Sequence, residues 1–423
     1  MSENIKQDES ISQGAGPRAA DEGAEGLGIE RIAREMGVAL PGLSSGFAQW
    51  LPSGMRLRRA VMDLSLSMHE QRGYSEVKSP SLAPRALFEQ SGHAQKYGDM
   101  MFSAWAKSDG SEQAALMLRP MSCPNHLSMF LSKRRSFAEL PWRAFEFGEV
   151  FRDEPSGSLS FLLRQRQFCQ DDAHVVCAWG QSGAVARDWL SMALSAIGWM
   201  ECGEPRLRLA SRPAERLGSD EQWDQVEALL ASELDASGMP WEWAPGEGAF
   251  YGPKIELGLR DRLGRSWQMG VFQLDLNLPE RFGLKVDGLP DEMGPLVLAH
   301  HAVFGSIERA IGVLLACHGK HLPPVVHPNA LAVIAVSEKS SDAARAYWLQ
   351  ARGLLGARAW LCSFDGPLGA KIARAKEEGW LRIAVIGGKE AQAGLGLASV
   401  DGASMSAEDA CSAFIGPVHG VGA

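Results

Sequence analysis

Three residues of this 423-residue chain could together do chemistry: Cys123, His174 and His300. Each lies in a dense polar segment, RPMSCPNH, QFCQDDAHVV and LAHHAVFGSIER. One thiolate and two imidazoles suit zinc. Three protein ligands leave a coordination position for water or substrate, whereas four usually make a closed structural site. Taken singly, a cysteine is more often a small buried hydrophobe, and a lone histidine more often a hydrogen-bonded polar residue than a ligand. His301 competes with its neighbour for the same role. Spacing alone does not choose between them, because the candidate ligands lie far apart in sequence.

A second group suits anions. Arg152 and Glu154 are spaced to face one side of a strand, and Arg164 and Arg166 one side of its partner. Guanidinium forks fit phosphate or carboxylate. With Phe168 under a base and Glu154 accepting from an exocyclic amine, the set could bind a nucleotide. Cross-strand salt bridges on a solvated face fit the same residues. AFYGPKIE sets Tyr251 and Lys254 around a Gly-Pro turn. Lys254 there is either a point charge for a phosphate or carboxylate or a surface turn lysine. GSIERAIGVLL opens a helix with Gly305 and Ser306 at its start and Arg309 one turn in. Helix N-termini favour anions, and an exposed arginine on an amphipathic helix fits equally.

Positioning these residues requires strands. RAFEFGEVFRDE and FLLRQRQFCQDDAHVVCAW read as two long strands around the turn PSGSLS, and SEVKSPSL as another. IELGLRDRLGRSWQMGVFQLDL reads as a hairpin turning near Leu263–Gly264. GIERIAREMGVA, LPSGMRLRRAVMDLSLSMHEQRGY and ALFEQSGHAQKYG read as helices. SDEQWDQVEALLASELDASGM is an amphipathic helix capped by Ser219. This part is α+β. GKHLPPVVHPNA, with three prolines, reads as a linker. Beyond it ALAVIAVS, SDAARAYWLQARGLLG, ARAWLCSF, KIARAKEEG and RIAVIGG alternate strand and helix, which predicts a small α/β domain with a largely parallel sheet.

Composition sets bounds. The length suits two or three domains. No apolar run is long enough to cross a bilayer. The N-terminus is polar and acidic without the apolar core of a secretory signal, so residues 1–27 are expected to be a disordered leader. Seven cysteines without a repeated spacing suit reduced thiols in a cytosol. A net charge of −9 gives no general attraction for nucleic acid.

Taken in order, RPMSCPNH, FRDEPSGSLS, QDDAH, SRPAERLGSDEQWD, GEGAFYGPKIE, WQMG and HHAVFGSIER resemble the threonyl-tRNA synthetases, a family of class II aminoacyl-tRNA synthetases. The resemblance runs from about Ala48 to the linker and continues more weakly beyond it. It implies an antiparallel sheet flanked by helices over residues 28–322, then an anticodon-binding-like α/β domain over 328–423. VKSPSL, containing Pro80, would be class motif 1 at a homodimer interface. FRDE with the following strand would be motif 2, and GSIER motif 3. The implied zinc ligands are Cys123, His174 and His300, with the amino and β-hydroxyl groups of L-threonine filling the open positions. Valine would then leave a hydroxyl-binding site unsatisfied. Asp172 would meet the substrate hydroxyl, and Met121, Gln170, Tyr251 and Ser306 would line the amino-acid pocket. Arg152 would hold the carboxylate against the α-phosphate of ATP. Glu154 and Phe168 would read and stack adenine, Arg164 and Arg309 would hold the outer phosphates, and Lys254 and Gln268 would sit near the α-phosphate and ribose. Arg152, Lys254 and Arg309, with Mg²⁺, would carry the charge as threonine attacks the α-phosphorus and pyrophosphate leaves. The implied setting is a cytoplasmic enzyme with no membrane partner.

The sequence departs from that family on the acceptor side. The family's large N-terminal editing region is expected to be missing. QWLPSG has Leu51 where the family usually has a histidine near the terminal ribose of tRNA, and leucine cannot move a proton. In the motif 2 loop Ser160 and Phe161 stand in place of His and Gly. Gln167, Cys169 and Val271 replace a Gly and two Thr. From residue 328 onward nine Lys+Arg balance nine Asp+Glu, whereas RNA binding leans on cations. Three readings follow: transfer of threonine to tRNA, transfer to another acceptor such as a carrier-protein thiol or a small molecule, or an idle regulator that binds threonine or tRNA. The intact set Arg152, Glu154, Lys254 and Arg309 argues against the idle regulator.

Overall fold

The computed structural model describes residues 28–104, 116–261, 264–393 and 396–415. The expected leader and Leu263 of the expected turn lie outside the described residues. Contacts divide the chain into two compact units. One includes Pro41–Ala48 and Ser65–Cys317, the other Arg31–Leu40, Gln49–Leu64 and His318–Ala423.

The first unit is built on an eight-stranded sheet. Its strands are β1 (Ser75–Glu76), β2 (Trp142–Phe151), β3 (Gln167–Ala178), β4 (Gly203–Ala210), β5 (Trp241–Ala244), β6 (Lys254–Asp261), β7 (Ser266–Asp275) and β8 (Leu296–Ser306). They lie in the order β5-β4-β6-β7-β8-β3-β2-β1. The pairs from β4 to β2 are antiparallel, and only the edge pairs β5–β4 and β1–β2 are parallel. The helices of interest are α1 (Pro52–Glu70), α2 (Cys123–Phe130), α3 (Ser182–Met200), α4 (Asp220–Ala236) and α5 (Ile307–His318). Ser219 caps α4 as expected, its side chain accepting from the Gln222 amide.

Side chains of a strand alternate between the two faces of a sheet. The back face is closed by α3. Trp189 of that helix is fully buried, its Nε1 donates to Ala302 O at 3.0 Å, and its ring lies 5.6 Å from Phe272. On the front face α2 seals one end, where Cys123, Leu127 and Phe130 pack with Val176 and Leu298. The rest of the front face carries the site.

Two strand expectations are corrected. β2 stops at Phe151 and β3 starts at Gln167, so Arg152, Glu154, Arg164 and Arg166 lie in the connection, not on paired strands. Pairing runs one step further, with Arg152 N donating to Arg166 O at 2.8 Å. It then ends because Pro155 has no amide to donate and Leu162 takes a φ of 58°. SEVKSPSL gives only the two residues of β1 to this sheet. Its polar atoms turn to Glu146 at Ser79, Pro80 follows, and Leu82–Pro84 joins a separate three-stranded sheet.

The second unit contains β9 (Leu331–Ala335), β10 (Ala359–Leu361), β11 (Arg382–Ile386), β12 (Leu397–Val400) and β13 (Ala403–Ser406), in the order β10-β9-β11-β12-β13. Helices α6 (Ser341–Leu355) and α7 (Leu368–Glu377) connect the first three strands, which are parallel; the last two pair antiparallel. The sheet is thus mixed, not largely parallel. The missed signal is Asp401-Gly402, whose φ values of 52° and 85° are those of a two-residue primed hairpin turn.

Trp189 joins α3 to the middle of the sheet, so Trp189→Ala should cost about 3–5 kcal/mol of stability. Urea denaturation of the two chains measures it, and a loss under about 1 kcal/mol would contradict this packing.

Candidate active site

The middle of the sheet brings the three metal-type residues together. His174 of β3 and His300 of β8 are directly opposed in register. Cys123, fully buried at the start of α2, faces them from above the sheet. One ligand atom from each lies within 4.8 Å of the others. His301, one residue further along β8, faces the back, where its Nε2 lies 2.7 Å from the Tyr74 hydroxyl. Strand alternation therefore separates two histidines that spacing could not.

Two buried acids set the tautomers of the ring pair. His300 Nε2 lies 3.3 Å from Asp275 Oδ2, which places its proton there and leaves Nδ1 a lone pair. His126 Nε2 lies 3.3 Å from Glu146 Oε1 without the alignment of a hydrogen bond, and the carboxylate's charge favours a proton on that nitrogen. His126 Nδ1 then accepts from His174 Nδ1 at 2.8 Å, and His174 Nε2 is left as a lone pair. These proton positions are assigned from the acids' demand for donors. The two inner nitrogens, 3.1 Å apart, thus present lone pairs to one point. In a tetrahedral zinc site two imidazole nitrogens stand about 3.3 Å apart. Outer carboxylates that orient ligating rings are the usual second layer of such sites. The residues fit a zinc ion. Burial, with Asp172 and Asp275 nearby, pushes the Cys123 thiol well above its ordinary pKa. Burial, with His126 and His300, keeps His174 neutral. A bound cation reverses this penalty on the thiolate.

A cavity of about 500 Å³ opens beside the cluster. Met121, Gln170, Tyr251 and Ser306 line part of it, and the Tyr251 ring lies 5.2 Å from that of His300. Tyr251 donates to Gln273 Oε1 at 2.6 Å. Arg152, Glu154, Arg164, Phe168, Lys254, Gln268 and Arg309 line the remainder. The Arg152 guanidinium sits 5.2 Å over the Phe168 ring. Arg164 donates to Glu154 Oε2 at 2.8 Å, and Lys254 lies 2.8 Å from Glu256 Oε1. Arg309 Nε donates to Leu163 O at 2.9 Å. A volume of this size suits a small-molecule ligand.

The family model of the tRNA synthetase class II core domain (G, H, P, S and T) matches residues 105–318. The chain belongs to the class II tRNA synthetases. It is 40% identical to the threonine–tRNA ligase of Maricaulis maris over 294 residues, 70% of this chain and 45% of that one. It is 36% identical to that of Psychrobacter cryohalolentis over 349 residues, 82% and 53% of the two chains. The chain therefore spans about half the length of these curated relatives. Among solved structures, the RNA binding domain of threonyl-tRNA synthetase from Cryptosporidium parvum aligns with a TM-score of 0.80 at 31% identity, over 92% of this chain and 99% of that one. A putative threonyl-tRNA synthetase from Aeropyrum pernix aligns at 0.70 and 26% identity, over 92% and 96%.

Within this synthetase core, each residue expected from the sequence falls at the cavity or the cluster behind it. Asp172, like Cys123, His174 and His300, is not among the residues that line the cavity. It lies 3.8 Å from His174 Nδ1, and burial raises its carboxyl pKa. Sequence reasoning missed the residues that hold these in place: Asp275, Glu146, His126, Gln273 and Glu256. Their signal was register. Asp172 opposes Glu146, His300 opposes Gln273, and Lys254 opposes Gln273 on the other side. Glu256 gathers Lys254, Gln268 and Arg208 within 3.2 Å.

Glu146 is fully buried, yet its carboxyl lies well below the usual range. Burial opposes ionisation, but the contacts of His126, Ser79 and Arg119 outweigh it. Arg119 Nη1, equally buried, lies 2.6 Å away. Glu146→Ala would strand that guanidinium and should cost about 3–5 kcal/mol. Because the folded pKa is depressed, the Glu146 contribution is full above the free carboxyl's 4.5 and fades as pH falls below it. Denaturant melts at pH 7 and pH 3.5 check both, and the gap between the two chains should narrow at the lower pH.

Proposed function

We propose that the chain activates L-threonine with ATP to threonyl-adenylate, as a threonine–tRNA ligase-like enzyme. One observation carries the reading: a buried thiol and two opposed imidazoles cluster beside Tyr251, which lines a cavity together with Arg152, Arg164, Lys254 and Arg309. The names of the relatives, threonine–tRNA ligases, supply the amino acid. In this reading Cys123, His174 and His300 hold zinc, which when bound supplies a Lewis acid with positions open to an amino group and a β-hydroxyl. Asp172 takes the hydroxyl, and Met121, Gln170, Tyr251 and Ser306 enclose the rest of the amino acid.

The remaining residues position the nucleotide. Phe168 stacks adenine and Glu154 accepts from its exocyclic amine. Arg152, laid over Phe168, reaches both the threonine carboxylate and the α-phosphate. Lys254 and Gln268 serve the α-phosphate and ribose, while Arg164, Arg309 and Mg²⁺ serve the outer phosphates. A carboxylate oxygen then attacks the α-phosphorus as the bond to pyrophosphate breaks. The nucleophile is already ionised, so no proton has to move, and placement with charge stabilisation carries the step.

The relatives' names give tRNA as the acceptor. Leu51, Ser160 and the charge-neutral stretch from 328 onward favour the second reading, transfer to a carrier-protein thiol or a small molecule. Division into a catalytic part (28–322) and an anticodon-binding-like part (328–423), a homodimer and a cytoplasmic setting belong to the same proposal. Among the described residues no helix is long and apolar enough to cross a membrane.

Pyrophosphate exchange should depend on threonine and exceed that with valine by about a thousandfold or more. Labelled threonine recovered on tRNA supports the first acceptor. Exchange without charging supports the second. No threonine-dependent exchange by zinc-loaded protein overturns both. Cys123→Ala should lower bound zinc from about one per chain towards zero, and unchanged zinc would reject the ligand assignment.

A further inference from the structure

We propose that Asp171 is a positioning residue for the cavity wall that carries Ser306 and Arg309, acting from the back of the sheet through a bulge in β8. The inference rests on the adenylate-forming reading above. β3 and β8 pair regularly from Ala178 opposite Leu296 to Asp172 opposite Ala302. The next pair is Gln170 opposite Ser306. Val303, Phe304 and Gly305 therefore stand against Asp171 alone, and the ladder cannot pair all their amides.

The Asp171 carboxylate takes over this task. Its Oδ2 accepts from Val303 N at 3.1 Å, from Phe304 N at 2.8 Å and from the Ser65 hydroxyl at 3.1 Å. The side chain is fully buried, and its Oδ1 has no hydrogen-bond partner among the described residues. A buried carboxyl with one unpaired oxygen is costly, and burial pushes its pKa up to about 7. An apolar residue would fill the space more cheaply but would leave the bulge amides unpaired. The bulge is pinned from its other side too. Gly305 has a φ of +74°, and a Cβ there would stand 2.7 Å from Met269 O.

What the bulge delivers is the cavity wall. Gly305, Ser306 and Arg309 all line the cavity. Ser306 Oγ accepts from Arg309 N at 3.0 Å and so opens α5. Arg309 then reaches across to Leu163 O. Asp171 alternates with Gln170 and Asp172, which face the front, so one strand supplies both the substrate contacts and the brace behind them.

Two measurements test this on the full chain. Hydrogen exchange followed by mass spectrometry should place the amides of Val303 and Phe304 among the slowly exchanging ones, although pairing with β3 does not protect them. Asp171→Ala should speed their exchange by about tenfold or more while leaving 254–261 unchanged. Asp171→Asn, which keeps an acceptor oxygen, should restore protection to within about threefold. In threonine-dependent pyrophosphate exchange, Asp171→Ala should raise KM for ATP, which Arg309 serves, and KM for threonine, which Ser306 serves, each about fivefold or more, and Asp171→Asn should reverse most of both rises. Fast exchange at Val303 and Phe304 in the unaltered chain overturns the proposal, even if Asp171→Ala does not fold. So does an Asn variant as impaired as the Ala variant. Absence of pyrophosphate exchange by the unaltered chain rejects the adenylate reading instead and leaves the amide test standing.

Discussion

Lone-pair direction in a buried ring pair governs the site. His174 and His300 meet across two strands at 3.1 Å, and neither nitrogen can serve a cation unless both protons point outward. Glu146, through His126, and Asp275 provide for that from opposite sides. Each acid is itself fully buried, so each needs support. Glu146 finds it in Arg119 and Ser79, and Asp275 in the amides of Asn277 and Leu278. The polar layer thus extends well beyond the three apparent ligands. It is worth having only if complete, since a half-satisfied buried network costs more than an apolar core.

The cavity follows a related rule. Its cations are not left bare. Arg164 rests on Glu154 and Lys254 on Glu256, which keeps buried or half-buried charges paired in the absence of a ligand. On the proposed reading, a phosphate that draws Arg164 away must leave Glu154 another donor, and the amine of adenine is one. Recognition of base and phosphate would then be coupled through one ion pair. Glu256, held also by Arg208 and Gln268, has donors to spare and can lose Lys254 at less cost.

Much of the site was legible because it is written at strand spacing. Phe168, Gln170, Asp172 and His174 alternate along β3, and ordered motifs tie them to residues far away in sequence. Strand limits were harder. The run from Arg152 to Arg166 has apolar residues at strand spacing, yet Pro155 and the left-handed Leu162 end the ladder early. The braces were hidden for a different reason. Asp275, Glu146 and Asp171 each look like an ordinary acid in a strand, and only register shows what stands opposite. In the second unit, Asp401-Gly402 was a local turn signal that strand–helix alternation overshadowed.

On the proposed reading, this division between contacts and braces bears on how such a chain could change its acceptor. Residues that face the cavity are held by partners on the same sheet, mostly through register. The loop carrying Ser160 and the surface of the second unit lie outside that register. A substitution there removes no brace from the ring pair or from Arg152. The second unit keeps its own core, with Tyr347, Ala384, Val400 and Phe414 fully buried together, whatever its surface charge. On the proposed reading, amino-acid activation and acceptor choice are therefore separable. A charge-neutral stretch from residue 328 onward beside an intact synthetase core is physically consistent, because the interactions that fix the ring pair do not depend on the charges an RNA would need.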